Sequence, residues 1–267
     1  MVEEKATETV TEKAVDKEFI LIEKKGRLLD ILSTMGVMSG GKDPIITPIV
    51  LRVSEDKKSL GFEYADKTST VLVTGKWTPM TLQSVDIPEI IMDPAIVYEA
   101  INTMDDDMVT MKITTTQLII ETNRTRAWMG VQDKKSESPP TIPKFKKFMA
   151  TAEVDAPELK SIIARAMKYH DPKKLIVKID GQVLYIETAK VGGGSMGWSG
   201  SVTGMVKALG EEADDITSGF SSQLLSNLFG ITTGKIVLTL GKAYPLKVEL
   251  SDPSFSITYI ISPMLDQ

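Results

Sequence analysis

The hydrophobic and polar positions of this chain follow the same order of elements twice, in residues 19–131 and again in residues 148–265. Alternating apolar and polar residues predict strands, whereas apolar residues three and four positions apart predict short helices. Each copy has a strand, a helix, further strands, a second helix and three closing strands. We therefore predict an α+β protein made of a tandem repeat, with a continuous antiparallel surface on one side and four helices on the other.

Apolar spacing and helix-start signals locate the helices. In the first copy, Asp93 is a favoured N-cap and Pro94 is favoured at the first helical position. In the second copy, Asp155 and Pro157 repeat this signal, and Glu158 adds a carboxylate to the first turn, where it suits the helix dipole. The predicted helices are residues 27–35, 94–101, 155–169 and 221–229.

The strands are predicted from period-two alternation and from the turns between them. Asp180 and Gly181 form a strong hairpin signal in the second copy. The strands predicted in the first copy are 18–23, 49–53, 59–64, 70–74, 89–92, 108–113, 117–122 and 125–131. Those predicted in the second copy are 148–154, 174–179, 183–189, 198–207, 215–218, 235–240, 246–250 and 256–261.

Composition divides the chain into four segments. The first seventeen residues are polar, charged and poor in aromatics, which is typical of a flexible tail. A stretch rich in Pro and Lys separates the two copies. The predicted organisation is an acidic N-terminal extension (1–17), an N-terminal domain (18–132), a connecting loop (133–147) and a C-terminal domain (148–267).

The bulk chemistry narrows the class of protein. The chain has 267 residues, a formal net charge of −5 and no cysteine. Lack of cysteine excludes a disulfide framework and thiolate metal sites, which fits an intracellular protein. No stretch has the roughly 20 apolar residues that span a bilayer, so we expect no membrane partner. Basic clusters at residues 24–27, 144–147 and 160–174 mean that the negative net charge does not exclude binding to nucleic acid.

The sequence offers little equipment for catalysis. His170 is the only histidine, and it follows a predicted helix beside Asp171. The glycine run at 192–194 lacks the Lys-Ser/Thr and the helix of a phosphate-binding loop. We predict no catalytic residue, no metal site and no cofactor, and we expect the repeat to build a surface or a ring rather than an enzyme pocket.

KAYPLKVEL at 242–250 is followed by SITYIISPML at 256–265. GFEYADKTSTVL at 61–72 predicts a strand–loop–strand, and Ile142 and Pro143 precede the aromatic Phe148. These stretches resemble, in turn, the C-terminal ending, a strand–loop–strand and the interdomain connecting loop of the eukaryotic and archaeal DNA sliding clamp family, proliferating cell nuclear antigen. The resemblance covers about residues 18–265.

The resemblance implies two tandem clamp domains and a homotrimeric ring around double-stranded DNA, with sheets outside and four helices lining the inner face. The expected function is that of a non-enzymatic DNA polymerase processivity factor, loaded by a clamp loader and tethering replication and repair proteins. Its location would be the nucleus, an archaeal cytoplasm or nucleoid, or a virus-infected host cell. The implied DNA-binding residues, which need only weak and salt-sensitive attraction to phosphates, are Lys24, Lys25, Arg27, Lys160, Arg165, Lys168, Lys173 and Lys174.

Two further surfaces follow from the resemblance. The first is a hydrophobic groove for partner peptides, between the connecting loop and the C-terminal strand. Its residues are Ala65, Thr70, Leu72, Ile142, Pro143, Pro245, Ile260, Ile261, Ser262 and Pro263. The second is the pair of edge strands that join subunits, at 125–131 and 199–206. Its residues are Arg126, Trp128, Val131, Val202 and Met205.

Other interpretations stay open at this point. Leu72 and Ile261 also suit an ordinary core, the basic residues suit a solvated face, and both edge strands suit the interior of a sheet. The predicted second and fourth helices carry no Lys or Arg, so the pore would be less basic than is usual in the family. The alternatives are a specialised clamp paralogue, whether heterotrimeric, checkpoint-type or viral, and a clamp-fold scaffold that no longer encircles DNA.

Overall fold

The computed structural model describes residues 18–37, 44–45, 48–66, 68, 70–85, 89–114, 116–130, 148–169, 172–188, 197–209 and 216–264. The first copy contains β1 (Glu18–Lys24), α1 (Lys25–Gly36), β2 (Ile49–Val53), β3 (Leu60–Ala65), β4 (Val71–Trp77), β5 (Thr81–Val85), β6 (Glu89–Met92), α2 (Pro94–Asn102), β7 (Met108–Thr114), β8 (Gln117–Glu121) and β9 (Arg126–Gly130). The second contains β10 (Ala150–Asp155), α3 (Ala156–Met167), β11 (Lys174–Asp180), β12 (Val183–Thr188), β13 (Ser199–Val202), β14 (Gly204–Ala208), β15 (Ile216–Ser221), α4 (Ser222–Ile231), β16 (Lys235–Leu240), β17 (Leu246–Ser251) and β18 (Phe255–Ile261).

The two copies repeat each other element for element, which confirms the predicted tandem α+β architecture. β1 pairs with β5 and β7, and β10 pairs in the same way with β14 and β16. β2 lies between β3 and β6, and β11 lies between β12 and β15. All of these pairings are antiparallel, and the three closing strands of each copy form a meander.

The strands form three sheets in the described part of the chain. A five-stranded sheet has the order β5-β1-β7-β8-β9, and a four-stranded sheet has the order β13-β12-β11-β15. The third sheet has nine strands, β14-β10-β16-β17-β18-β4-β3-β2-β6, and contains both copies. Its central pair, β18 with β4, joins the copies from Ile261 opposite Val71 to Phe255 opposite Trp77. We call this pairing the internal junction.

The helices cover the core side of the sheets. α1 packs on α2 and α3 packs on α4, while α1 also contacts α4 across the internal junction. Tyr64 and Tyr259 donate their hydroxyls to the carbonyls of Met35 and Thr34, at 3.0 and 2.6 Å. These carbonyls lie in the last turn of α1, where intrahelical donors run out and the C-cap N–H of Val37 reaches Thr34 only at 3.3 Å. Burial raises the pKa of both tyrosines well above 10, so their hydroxyls remain donors.

The helix-start predictions are confirmed in part. Asp93 caps α2 by accepting from the N–H groups of Ala95 and Ile96, and Ser221 caps α4 by accepting from that of Leu224. Asp155 occupies the N-cap position of α3, but its side chain makes no capping hydrogen bond. The Ala156 N–H instead donates to the carbonyl of Gly234.

Two strand predictions were wrong. β5 was not predicted, because it is a short segment whose extended conformation depends on pairing with β1. Residues 198–207 were predicted as one strand, yet they form β13 and β14, which belong to different sheets and are separated at Thr203. Val202 and Val206 both face the core, so the alternation continues through the break and cannot reveal it.

The internal junction is packed tightly around Gly75. A Cβ atom at this position would lie 2.2 Å from the Ser256 carbonyl oxygen and 2.3 Å from the Phe62 ring. We expect Gly75→Ala to lower the free energy of unfolding by about 2 kcal/mol or more, since a strand backbone must move. Chemical denaturation measures the change.

Gly26 provides the matched control, because nothing lies within 4 Å of a Cβ built there and the residue is helical. Gly26→Ala should change stability by less than about 1 kcal/mol, in the stabilising direction. Equal stability of Gly75→Ala and the unmodified protein would contradict the close packing of β4 on β18.

Candidate nucleic-acid and subunit interfaces

One face of α3 is cationic and solvent-exposed. Leu159, Ile163 and Ala166 are buried on its opposite side. The exposed positions fall on one side because they recur at three- to five-residue spacing. They are Lys160, Ser161, Ala164, Arg165 and Lys168, with no carboxylate among them. We call these five residues the α3 face.

The first-turn carboxylate of α3 does not oppose this charge, because it is held elsewhere. Glu158 is half-buried, and its Oε1 accepts a hydrogen bond of 2.9 Å from the backbone N–H of Thr203. Thr203 is the residue between β13 and β14. Glu158 therefore fixes the end of β13 to the start of α3.

Two of the predicted DNA-binding lysines cap helices. Lys25 Nζ donates to the carbonyls of Asn102 and Met104, where α2 ends, with 3.0 Å to Asn102. Lys160 Nζ donates to the carbonyl of Gly230 near the end of α4, at 2.7 Å. Helix C-termini carry unsatisfied carbonyls and partial negative charge, which an ammonium group stabilises. Lys25 is half-buried, whereas Lys160 stays exposed.

The Arg27 side chain is also held by contacts within the chain. Its guanidinium pairs with Asp252 at 2.9 Å and donates to the Ser254 hydroxyl, which links α1 to the turn between β17 and β18. Burial alone would raise the pKa of Asp252, but hydrogen bonding from Ser254 and the Arg27 charge hold it below its usual value. Arg27 thus fastens the internal junction on the helix side.

The remaining predicted cations lie at the ends of the helices. Lys24 is exposed before α1, and Lys173 is exposed after α3. Lys174 is half-buried, and its aliphatic stem covers Gly219. α2 exposes Ile96 and Glu99 but no cation, as its sequence indicated. Among the described helices, exposed cations therefore lie mainly on α3, whereas Lys25 and Arg27 of α1 are held by contacts within the chain.

The predicted partner-binding residues are brought together on the outer face of the nine-stranded sheet, the face that points away from the core. Ala65, Leu72 and Ile260 are directly opposite one another on β3, β4 and β18, with Ala65 and Leu72 half-buried and Ile260 only 7% exposed. The Ser262 N–H donates to the Thr70 carbonyl at 2.8 Å, which continues this row past the strand ends. Half-buried prolines lie on the segments that flank it, at Pro245 and Pro263.

One member of the predicted groove was wrong. Ile261 is completely buried in the core, because successive residues of a strand alternate between faces and Ile260 takes the outer one. Ile142 and Pro143 lie outside the described residues, so their assignment stays a prediction.

The predicted subunit edges coincide with two sheet ends. β9 is the last strand of the five-stranded sheet, and β13 is the last strand of the four-stranded sheet. Trp128 on β9 is 70% exposed, whereas Val202 on β13 faces the core. Met205 was placed on the wrong strand, since it lies on β14 opposite Glu153 in the nine-stranded sheet. Val131 lies outside the described residues.

Two chemical properties of the described residues bear on function. They contain no group of three or more Asp, Glu, His or Cys side chains placed to hold a metal ion. None of their helices has the length and apolar character that a membrane crossing requires.

No family model and no curated protein matches the chain. Solved structures match its fold. PCNA from A. fulgidus, bound to the C-terminal region of FEN-1, has a TM-score of 0.73 at 16% identity, over 93% of this chain and 99% of that one. The Entamoeba histolytica protein, Proliferating Cellular Nuclear Antigen, has a TM-score of 0.74 at 12% identity, over 92% and 99%. The chain has the PCNA sliding-clamp fold.

Other clamp structures agree. PCNA from Thermococcus kodakaraensis has a TM-score of 0.73 at 12% identity, over 92% of this chain and all of that one. The PCNA2–PCNA3 complex of Sulfolobus tokodaii has a TM-score of 0.70 at 12% identity, over 91% and 98%. The clamp fold is therefore retained over nearly the whole chain, while most side chains differ from those of these clamps.

The clamp-fold resemblance did not predict the internal roles of Lys25, Lys160 and Glu158. Each contacts a residue at least 45 positions away in the chain. Local spacing carries no signal for such contacts. Alignment of the two copies carries no signal either, because Lys25 is the first residue of α1 whereas Lys160 is the fifth residue of α3.

We expect Lys25→Met to destabilise the protein by about 1–2 kcal/mol, because two C-terminal carbonyls of the α2 end lose a charged donor while the aliphatic stem is kept. Lys24→Met is the matched control, since the neighbouring Lys24 is exposed, and should cost less than about 0.5 kcal/mol. Equal melting curves for the two variants would exclude the capping role.

Proposed function

We propose that this protein is a DNA sliding clamp that acts as a polymerase processivity factor. Three copies would pair head to tail into a ring around double-stranded DNA, with the α3 face toward the phosphates. It would tether polymerases and repair proteins without catalysing a reaction itself. The observation that carries this proposal is the relation between the internal junction and the two open sheet edges.

The internal junction serves as a template for pairing between subunits. It joins the last strand of the second copy, β18, to the fourth strand of the first copy, β4. The corresponding strands of the opposite copies are β9 and β13, and both are sheet edges. Pairing β9 of one subunit with β13 of the next would give the order β5-β1-β7-β8-β9-β13-β12-β11-β15. This order repeats that of the nine-stranded sheet, position by position.

A ring follows from this pairing rule. β9 and β13 are different surfaces, so their contact is head to tail, and such contacts generate closed rings or open filaments. Closure at three subunits and six domains is what the clamp fold implies. Closure would also protect two edges that could otherwise pair with unrelated chains.

The charge distribution supports non-specific DNA contact. Arg165 and Lys168 are exposed on the α3 face, and α2 exposes Glu99 instead. A sliding ring needs only weak attraction to phosphates, because topological linkage prevents its escape. Three α3 faces in a ring would supply such attraction without base contacts.

The row formed by Ala65, Leu72 and Ile260 is our proposed docking site for partner peptides and for the clamp loader. Apolar residues grouped on an otherwise polar face mark candidate interaction sites. The A. fulgidus PCNA that shares this fold was solved with the C-terminal region of FEN-1. Tethering a polymerase at such a site raises its effective concentration at the primer end.

A second candidate is a clamp subunit that assembles with different clamp chains. The Sulfolobus tokodaii PCNA2–PCNA3 complex is a structure of this fold with two kinds of subunit. The absence of cations on the described α2 and α4 also supports it, because other subunits would then supply part of the basic pore. The oligomeric state of the isolated protein separates the two candidates.

Engineered cysteines test the ring, since the chain has none of its own. In the internal junction, Thr258 on β18 lies opposite Thr74 on β4. Their counterparts are Arg126 on β9 and Ser199 on β13, as the pairings of the neighbouring strands show. We expect Arg126→Cys with Ser199→Cys to form disulfides between subunits, giving covalent trimers on denaturing gels.

Two control pairs calibrate this experiment. Thr74→Cys with Thr258→Cys should cross-link within one chain. Arg126→Cys with Ser201→Cys is shifted by two residues, to a diagonal distance of about 7–8 Å that a disulfide spans poorly. Efficient cross-linking of the shifted pair, or purely monomeric product from the first pair, would refute the proposed register.

Retention on DNA tests the α3 face. We expect Arg165→Gln with Lys168→Gln to shorten the lifetime of loaded rings on circular DNA. The slope of log affinity against log salt should also become shallower, by about 0.9 for every phosphate that is no longer neutralised. Lys57→Gln with Lys76→Gln removes the same charge from exposed positions outside the helices and should change neither quantity. Similar losses in both variants would indicate a net-charge effect instead of binding by α3.

A further inference from the structure

One helix lies beside the internal junction, and another lies beside the β13 edge that would pair with the next copy. These two helices carry opposite charges at the same position. Arg27 is the third residue of α1, and Glu158 is the third residue of α3. α1 is linked to the internal junction by Arg27 and by the Tyr259 hydroxyl, whereas α3 borders the open edge formed by β13. The inference from this charge reversal rests on the proposed ring. It concerns which residue of the next copy lies beside the end of β13.

The internal junction shows what the third helical residue contacts. Arg27 pairs with Asp252 in the turn between β17 and β18. The same turn reaches the residue after β4, where the Thr78 N–H donates to the Ser254 carbonyl at 2.7 Å. The hairpin tip therefore contacts both the helix and the strand end of the other copy.

The corresponding hairpin of the first copy is shorter. Both turns are closed by the same hydrogen bond, from Asp252 N–H to the Phe255 carbonyl and from Thr122 N–H to the Thr125 carbonyl. Thr258 lies three residues after Phe255, which closes its turn, whereas its counterpart Arg126 lies one residue after Thr125. At about 3.4 Å per residue, the tip between β8 and β9 ends about 7 Å earlier.

This shortfall explains the hydrogen bond of Glu158. Thr203 follows β13 as Thr78 follows β4, so a shorter hairpin would not reach its N–H. Glu158 Oε1 accepts from that N–H instead, which places the carboxylate at the end of the open edge. A carboxylate has two oxygens, so the second can still accept from a cation.

We infer that Arg124 pairs with Glu158 of the next copy when the ring closes. Arg124 lies at the tip of the shorter hairpin and is exposed. Its long side chain spans the gap that the missing residues leave, and its guanidinium matches a carboxylate. The pair is the charge-reversed counterpart of Arg27 with Asp252.

The reversal also selects the correct junction. A hairpin carrying Arg124 would meet Arg27 if β9 approached β4, and a hairpin carrying Asp252 would meet Glu158 if β18 approached β13 of another copy. Both wrong arrangements place like charges together, whereas both correct ones place opposite charges together. The partner that fits the β13 edge is thus the β9 end of a second copy of this chain.

Charge-swap variants test the pair through the oligomeric state. Glu158→Gln keeps an oxygen for the Thr203 N–H and removes only the charge, so it should weaken the trimer without lowering the melting temperature of the monomer, measured below the trimer midpoint. Glu158→Arg and Arg124→Glu should each raise the concentration at the trimer midpoint by about tenfold at low salt. The combined variant, Arg124→Glu with Glu158→Arg, should recover most of the loss.

The control is Lys76→Glu, which makes the same charge change as Arg124→Glu at an exposed position on β4. Additive losses in the combined variant, or midpoints within about twofold of the unmodified protein in both single variants, would overturn the pair while leaving the ring intact. If the unmodified protein forms no trimer and the β9–β13 cysteine pair gives no cross-link, the proposed ring itself fails and the pair fails with it.

Discussion

A β-strand edge exposes unpaired N–H and C=O groups, and this constraint organises the molecule. The chain satisfies one pair of such edges internally, by joining β18 to β4 over seven opposed residues. Because the two copies are equivalent, the same two types of edge recur at β9 and β13. The two copies pair through β18 and β4 within one chain. The equivalent strands β9 and β13 remain available for the same pairing with other chains. The clamp architecture follows from this single pairing rule applied to every junction.

The helix side shows how a repeat becomes asymmetric while its fold is kept. Lys25 and Lys160 have the same role, since each holds the C-terminus of the neighbouring helix. Arg27 and Glu158 occupy one position but serve different junctions with opposite charges. Lys25 and Arg27 of α1 therefore make contacts within the chain, whereas Arg165 and Lys168 of the α3 face stay exposed. Charged helix residues therefore fall into two groups: those paired within the chain and those exposed, which another molecule could contact.

Local patterns predicted most elements because strand and helix periodicity reports burial directly. Local patterns fail where strand pairing or position in a sheet determines the structure. β5 is extended because β1 pairs with it, and the break at Thr203 leaves the alternation of core positions unchanged. Ile261 and Ile260 are adjacent and equally apolar, yet only the sheet shows that Ile261 enters the core. The resemblance located the row of Ala65, Leu72 and Ile260, but residue type alone could not show that Lys25 and Arg27 are committed to carbonyl and carboxylate partners.

The proposed ring would have to close on DNA and yet open for loading, and the internal junction and the proposed β9–β13 junction differ in the sense that this requires. The internal junction has seven opposed residues, the Tyr259 bond to α1 and the Arg27–Asp252 pair. β9 and β13 contain five and four residues, and their hairpin ends about 7 Å earlier. A ladder with fewer hydrogen bonds separates at lower cost, so in the proposed ring the contact between subunits would open before the one within the chain. The proposed pair of Arg124 with Glu158 of the next copy would add selectivity and faster encounter without making that contact permanent.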